Sequence, residues 1–135
     1  MFFSKPLLKE IFVLATVVAL LHYMALSLYL YWTVSWFDIL MHLLGGVLIG
    51  LIAAFVSYTS GYFHFPREHQ GAVFAMIIGA VLVVGMAWEL WELFLGWTDV
   101  LADQRDTMID IAMDTLGGMI AYQYAQRFIW PTNNK

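Results

Sequence analysis

The sequence predicts an all-α membrane protein, a four-transmembrane-helix bundle built from two hairpins. Three observations predict it. The 135-residue chain is 62% hydrophobic and 12% charged, whereas a soluble domain averages about 45–50% apolar and about 25% charged. Four apolar stretches, about 9–33, 36–60, 70–95 and 106–130, each exceed the roughly 20 residues that a helix needs to cross about 30 Å of hydrocarbon. A short motif also occurs twice, once in the second stretch and once in the fourth. The length suits one transmembrane domain over residues 1–135.

The first stretch follows Lys5 and Lys9 and runs on through Leu26–Tyr31 with no small-residue cleavage site. It therefore reads as a retained helix and not as a signal peptide. A tight turn near Trp32–Trp36 leads into the second stretch. The connection 61–69 holds Pro66 and Arg67, and the connection 96–105 is polar and acidic. Pro131 ends the fourth stretch. Lys5, Lys9, Arg67, Arg127 and Lys135 fall on the side of the termini, and Arg105 falls on the other. The positive-inside rule then places both termini in the cytoplasm of a multi-pass inner-membrane protein. Trp32, Trp36, Trp91 and Trp97 belong to an outer aromatic belt, and Trp130 to an inner one.

The motif Asp38-Ile-Leu-Met-His42-Leu-Leu-Gly45-Gly46 matches Asp110-Ile-Ala-Met-Asp114-Thr-Leu-Gly117-Gly118 at six of nine positions. Both copies open the second helix of a hairpin, so the hairpins form a parallel repeat about an axis normal to the membrane. Small residues let backbones approach closely where lipid offers no hydrophobic drive. The second and fourth helices should cross at these glycines.

Ionisable residues gather at one level. Asp38 and His42 are spaced i,i+4, Glu89 and Glu92 i,i+3, and Asp106, Asp110 and Asp114 form an i,i+4,i+8 row. Residues three and four apart share a helix face. A charge facing lipid costs about 2.5–3.5 kcal/mol or more, so these faces turn inward. Arg105 is the one cation nearby in sequence. Carboxylates this close need protons or a bound cation, and a carboxylate set with a histidine suits a divalent metal. Asp38, His42, Asp106, Asp110 and Asp114 are the expected ligands, and Glu89 or Glu92 the expected general base. Asp106 and Glu92 also read as solvated helix ends, and His22 as a hydrogen-bonded packing residue. No cysteine is present, which excludes thiolate ligands, and the net charge of −4 gives no footprint for nucleic acid. No phosphate loop, nucleophile elbow or zinc-protease motif occurs.

Asp38-x-x-x-His42-x-x-Gly45-Gly46, Trp88-Glu89-x-x-Glu92 and Asp106-Thr107-x-x-Asp110-x-x-x-Asp114 leading into Gly117-Gly118 resemble, in that order, the YjdF-like bacterial inner-membrane family. They resemble the VanZ-like proteins more loosely. The resemblance spans about residues 36–120. It implies a polytopic helical membrane protein, and the VanZ-like likeness implies a link to the cell envelope.

The expected function is divalent-cation binding at an outward-facing site, serving lipid- or envelope-directed hydrolysis. Two other classes fit the same residues. One is a small cation or proton transporter or channel subunit. The other is a structural subunit of a larger membrane complex. The expected partner is the lipid bilayer, with a homo-oligomer or larger assembly left open.

Overall fold

A computed structural model describes residues 4–58, 69–97 and 104–129. Among them the chain is helical throughout, with no strand. The helices are α1 (Ser4–Ser27), the short α2 (Leu30–Thr33), α3 (Phe37–Tyr58), α4 (Gln70–Leu95) and α5 (Gln104–Tyr124), which continues into a π-helical turn, Ala125–Ile129. The expected connection around Pro66 and Arg67, most of the acidic connection 96–105, Trp130 and the tail after Pro131 lie outside the described residues.

The first expected helix is interrupted. Tyr29 adopts a left-handed backbone conformation at φ 57°, which an L residue other than glycine rarely takes. The break ends α1 at Ser27 and sets off Leu30–Thr33 as one separate turn. The sequence gives no warning of it, because Leu28 and Leu30 continue the apolar run. The end of α4 follows the chemistry of its last residues. Gly96 takes the left-handed conformation at φ 71°, its N–H reaching the carbonyl of Leu93, and the Trp97 N–H reaches the carbonyl of Glu92. Glycine meets no Cβ penalty there, and the paired bonds satisfy carbonyls that the helix end would otherwise leave free.

Three helices, Leu7–Ser27, Phe37–Tyr58 and Gln70–Leu95, are long and apolar enough to cross a membrane. At 21 residues, α5 is long enough at about 1.5 Å per residue. Its first half carries Asp106, Asp110 and Asp114, so it falls short by composition.

The closest packing is between α3 and α5, with α4 against both and α1 laid on α3. A Cβ on Gly46 would strike the backbone of Asp114, and one on Gly117 would strike the backbone at Leu43, Gly46 and Val47. Gly50 lies against Gly118 and Ala121 further along. The expected crossing at the glycines is therefore present, and α3 and α5 run parallel. The two copies of the motif pack differently, however. Gly118 faces Val81 and Ile78 of α4, where its counterpart Gly46 faces α5.

The buried apolar residues form small clusters along the bundle. Ala53, Ala54, Val73, Ile77 and Ala125 join α3, α4 and the π turn. Leu7 with Leu51 and Ala121 pins the start of α1. Ala25 with Phe37 and Met41 pins its end. Most of α1 between those points is exposed, as are Trp32, Trp36, Trp91 and Trp97. That pattern suits a surface solvated by lipid, where apolar side chains need no protein cover.

Candidate metal centre

The first two turns of α3, the first three of α5 and the last two turns of α4 lie at one level. Helical spacing points Asp38 and His42 from α3, Glu89 and Glu92 from α4, and Asp110 and Asp114 from α5 toward the same interior. Asp110 is 2% exposed, Asp114 5% and His42 6%. Glu92 is also buried, so it is not a solvated helix end. Asp106 is exposed.

His42 is the hub. Its Nδ1 lies 3.3 Å from Asp114 Oδ2. With Asp114 ionised, its oxygen accepts and Nδ1 donates. Its Nε2 is 3.7 Å from Asp38 Oδ1 and 3.8 Å from Glu89 Oε1. Both separations exceed hydrogen-bond range, so Nε2 faces two carboxylates across a gap. Among the described residues, the buried Glu89 Oε1 and Asp110 Oδ1 have no hydrogen-bond partner. Burying such groups unpaired is costly.

Among the described residues, three sets of side chains bring one ligand atom each within 4.8 Å of one another: Asp38 with His42 and Glu92, His42 with Glu89 and Asp110, and Asp38 with Asp106 and Asp110. Donors on one ion at about 2.1–2.5 Å lie at most about 4–5 Å apart, so each set is compatible with a single cation. Asp38, His42 and Asp110 each belong to two sets. Asp114 belongs to none of them and instead meets the far nitrogen of His42. Glu89 and Glu92, both expected as bases, each sit in one of the sets of potential ligands.

Supporting residues surround this layer. Trp88 Nε1 donates to Glu92 Oε1 at 2.8 Å. Gly85 lies against the Asp114 carboxylate, which leaves no room for a Cβ at that position. The i,i+4 spacing of Trp88 and Glu92 made their bond readable in sequence. The role of Gly85 was not, since it depends on how α4 meets α5.

His22 belongs to the same level. It lies five residues before the end of α1 at Ser27, and its Nδ1 is 2.7 Å from the Tyr31 hydroxyl. Its ring meets Trp88 edge-on. The expectation of a hydrogen-bonded histidine holds, with Tyr31 as the partner. The unforeseen break at Tyr29 is what brings the two together.

A family model described as predicted membrane protein (DUF2238) matches residues 2–130. The chain belongs to the DUF2238 family. The match spans every helix and the whole polar layer, so the site lies within the family's own domain. It supports a membrane protein, and it does not carry the YjdF-like or VanZ-like names. No curated protein matches the chain, and no solved structure does.

Proposed function

We propose that this DUF2238 protein binds one or two divalent cations between α3, α4 and α5, and that the site serves hydrolysis of a lipid or envelope substrate. The observation that carries the reading is Asp110. It is 2% exposed, its Oδ1 has no hydrogen-bond partner among the described residues, and it belongs to two of the three ligand sets. A buried carboxylate oxygen without a donor is what a cation would satisfy. In this reading His42 Nε2, Asp38, Asp110 and Glu89 are ligands, with Asp106 at the exposed edge. Asp114 orients the imidazole through Nδ1, as carboxylates behind metal-bound histidines commonly do. Glu92, steadied by Trp88, is the general base. The cation polarises the substrate and activates water. The overlap of the sets at Asp38, His42 and Asp110 suits two adjacent ions.

In the same reading α5 is a fourth span with Asp110 and Asp114 buried against α3 and α4, and the chain is a four-helix bundle. Its carboxylates then face the bundle interior, as intramembrane acids generally do. An odd number of crossings would separate the termini, and the basic residues near both support reading them together in the cytoplasm of an inner-membrane protein. The paired motifs, lying side by side on the parallel helices α3 and α5, support reading the hairpins as a repeat.

Elemental analysis of purified protein, with thermal melting in Mn²⁺ and in chelator, tests the metal. A cation at a hundredfold excess over its dissociation constant should stabilise the fold by about 2.7 kcal/mol. Asp110→Asn should reduce that gain and, with one repelling carboxylate gone, stabilise the metal-free form. An unchanged melting temperature in chelator, with no metal co-purifying, would reject the metal and favour protons on the carboxylates, and with them the transport class.

A further inference from the structure

A second feature adjoins the polar layer. A cavity of about 340 Å³ opens between α1 and α4 over a floor of α3 and reaches Asp38, His42 and Asp114. Such a volume lies at the small end of ligand pockets. It suits one hydrocarbon chain better than two.

The helices line it by face. Ala15, Val18, Ala19 and His22 of α1 recur at i, i+3, i+4 and i+7, and so do Val81, Val84, Gly85 and Trp88 of α4. Such a recurrence is one stripe of each helix. Along both stripes the polar member comes last, at the level of the carboxylates. Leu48 and Ile49 continue the floor on the apolar side. The cavity is therefore amphiphilic along its length, with ring nitrogens and carboxylates at one end and aliphatic walls at the other. Its mouth lies between Ala19 and Val84, both exposed, on helices whose outer surfaces are apolar enough for a bilayer. What surrounds such a mouth is lipid.

We infer that the cavity admits a lipid carrying a phosphate headgroup from the side. Its chain lies between α1 and α4, and its phosphate lies at the cation between Asp38 and His42. This inference rests on the metal reading, because carboxylates without a cation repel phosphate. His22, with Tyr31 behind it, faces the headgroup from the opposite wall. Glycerophospholipids and isoprenyl phosphates share this chemistry.

The test uses the full chain in amphipol, with Mn²⁺ or chelator, and reads melting temperature and titrated affinity. Dodecyl phosphate and dodecanol are the first probes. Farnesyl phosphate and phosphatidic acid then distinguish an isoprenyl source from a glycerolipid one. Dodecyl phosphate should bind with Mn²⁺ and not with chelator, and dodecanol should bind far more weakly. Ala19→Trp at the mouth should weaken dodecyl phosphate about tenfold or more and leave the Mn²⁺ shift intact. Val84→Trp, on the facing wall, should do the same. The preserved Mn²⁺ shift shows that the variants fold. If Mn²⁺ stabilises the protein but dodecyl phosphate adds nothing, or binds both variants as well as wild type, the cleft is overturned and the metal reading stands. If dodecyl phosphate binds equally well in chelator, the cation does not hold the phosphate and the inference fails. If Mn²⁺ gives no shift, the metal reading fails and takes this inference with it.

Discussion

His42 has two nitrogens with different tasks, and a substitution can separate them. Asp114 holds Nδ1 at 3.3 Å, while Nε2 faces Asp38 and Glu89. Asp114→Asn keeps the shape but removes the charge behind the ring. It should weaken Mn²⁺ binding about 10–100-fold, the usual effect of losing an outer-shell partner, as read by calorimetric titration. Asp38→Asn takes the charge from a proposed ligand and should cost more. A larger loss for Asp114→Asn than for Asp38→Asn would make Asp114 a direct ligand instead. The carboxylates and His42 were all legible in sequence, because i,i+3 and i,i+4 spacing marks a shared face on each helix. The division of labour was not. Which nitrogen meets which acid depends on how α5 is rotated against α3, and no periodicity encodes that angle.

The pair formed by α3 and α5 depends on positions where nothing larger than hydrogen fits. Gly46→Ala would place a methyl group on the Asp114 backbone. It should destabilise the fold by about 1–3 kcal/mol or more, measured by melting in detergent. Gly79 of α4 has nothing within 4 Å of its would-be Cβ. There Gly79→Ala should be neutral or raise stability by up to about 0.5–1 kcal/mol, the helix preference for alanine over glycine. Equal effects at the two positions would remove the close crossing from the account. The Gly-Gly pairs announced this contact in the sequence, and lengths and apolar content fixed α3 and α4 almost to their ends. One feature stayed hidden: the break at Tyr29 comes from a residue with no preference for that conformation.

At the scale of the molecule, the number of crossings decides which side of the membrane each connection faces. Reporter fusions at Lys135 and within the connection 96–105 should report opposite sides, with Lys135 cytoplasmic. The basic residues near both termini motivate that outcome. The same side for both fusions would leave α5 lying on the membrane and would expose its carboxylates to water, dismantling the buried layer.

The parallel contact between α3 and α5 also sets an order of assembly. His42 and Asp114 are 72 positions apart, and the whole of α4 is made between them. Contacts so distant in the chain form late, because a long loop must close before they are rewarded. While the ribosome is still extending α4, α3 waits in the bilayer with its glycine face uncovered and its histidine unmated. The polar layer comes into being only when α5 emerges and slides into that vacant seam. A nascent chain stalled before Gln104 would therefore hold three greasy helices and half a site, and would be a natural client for whatever chaperones unfinished membrane proteins.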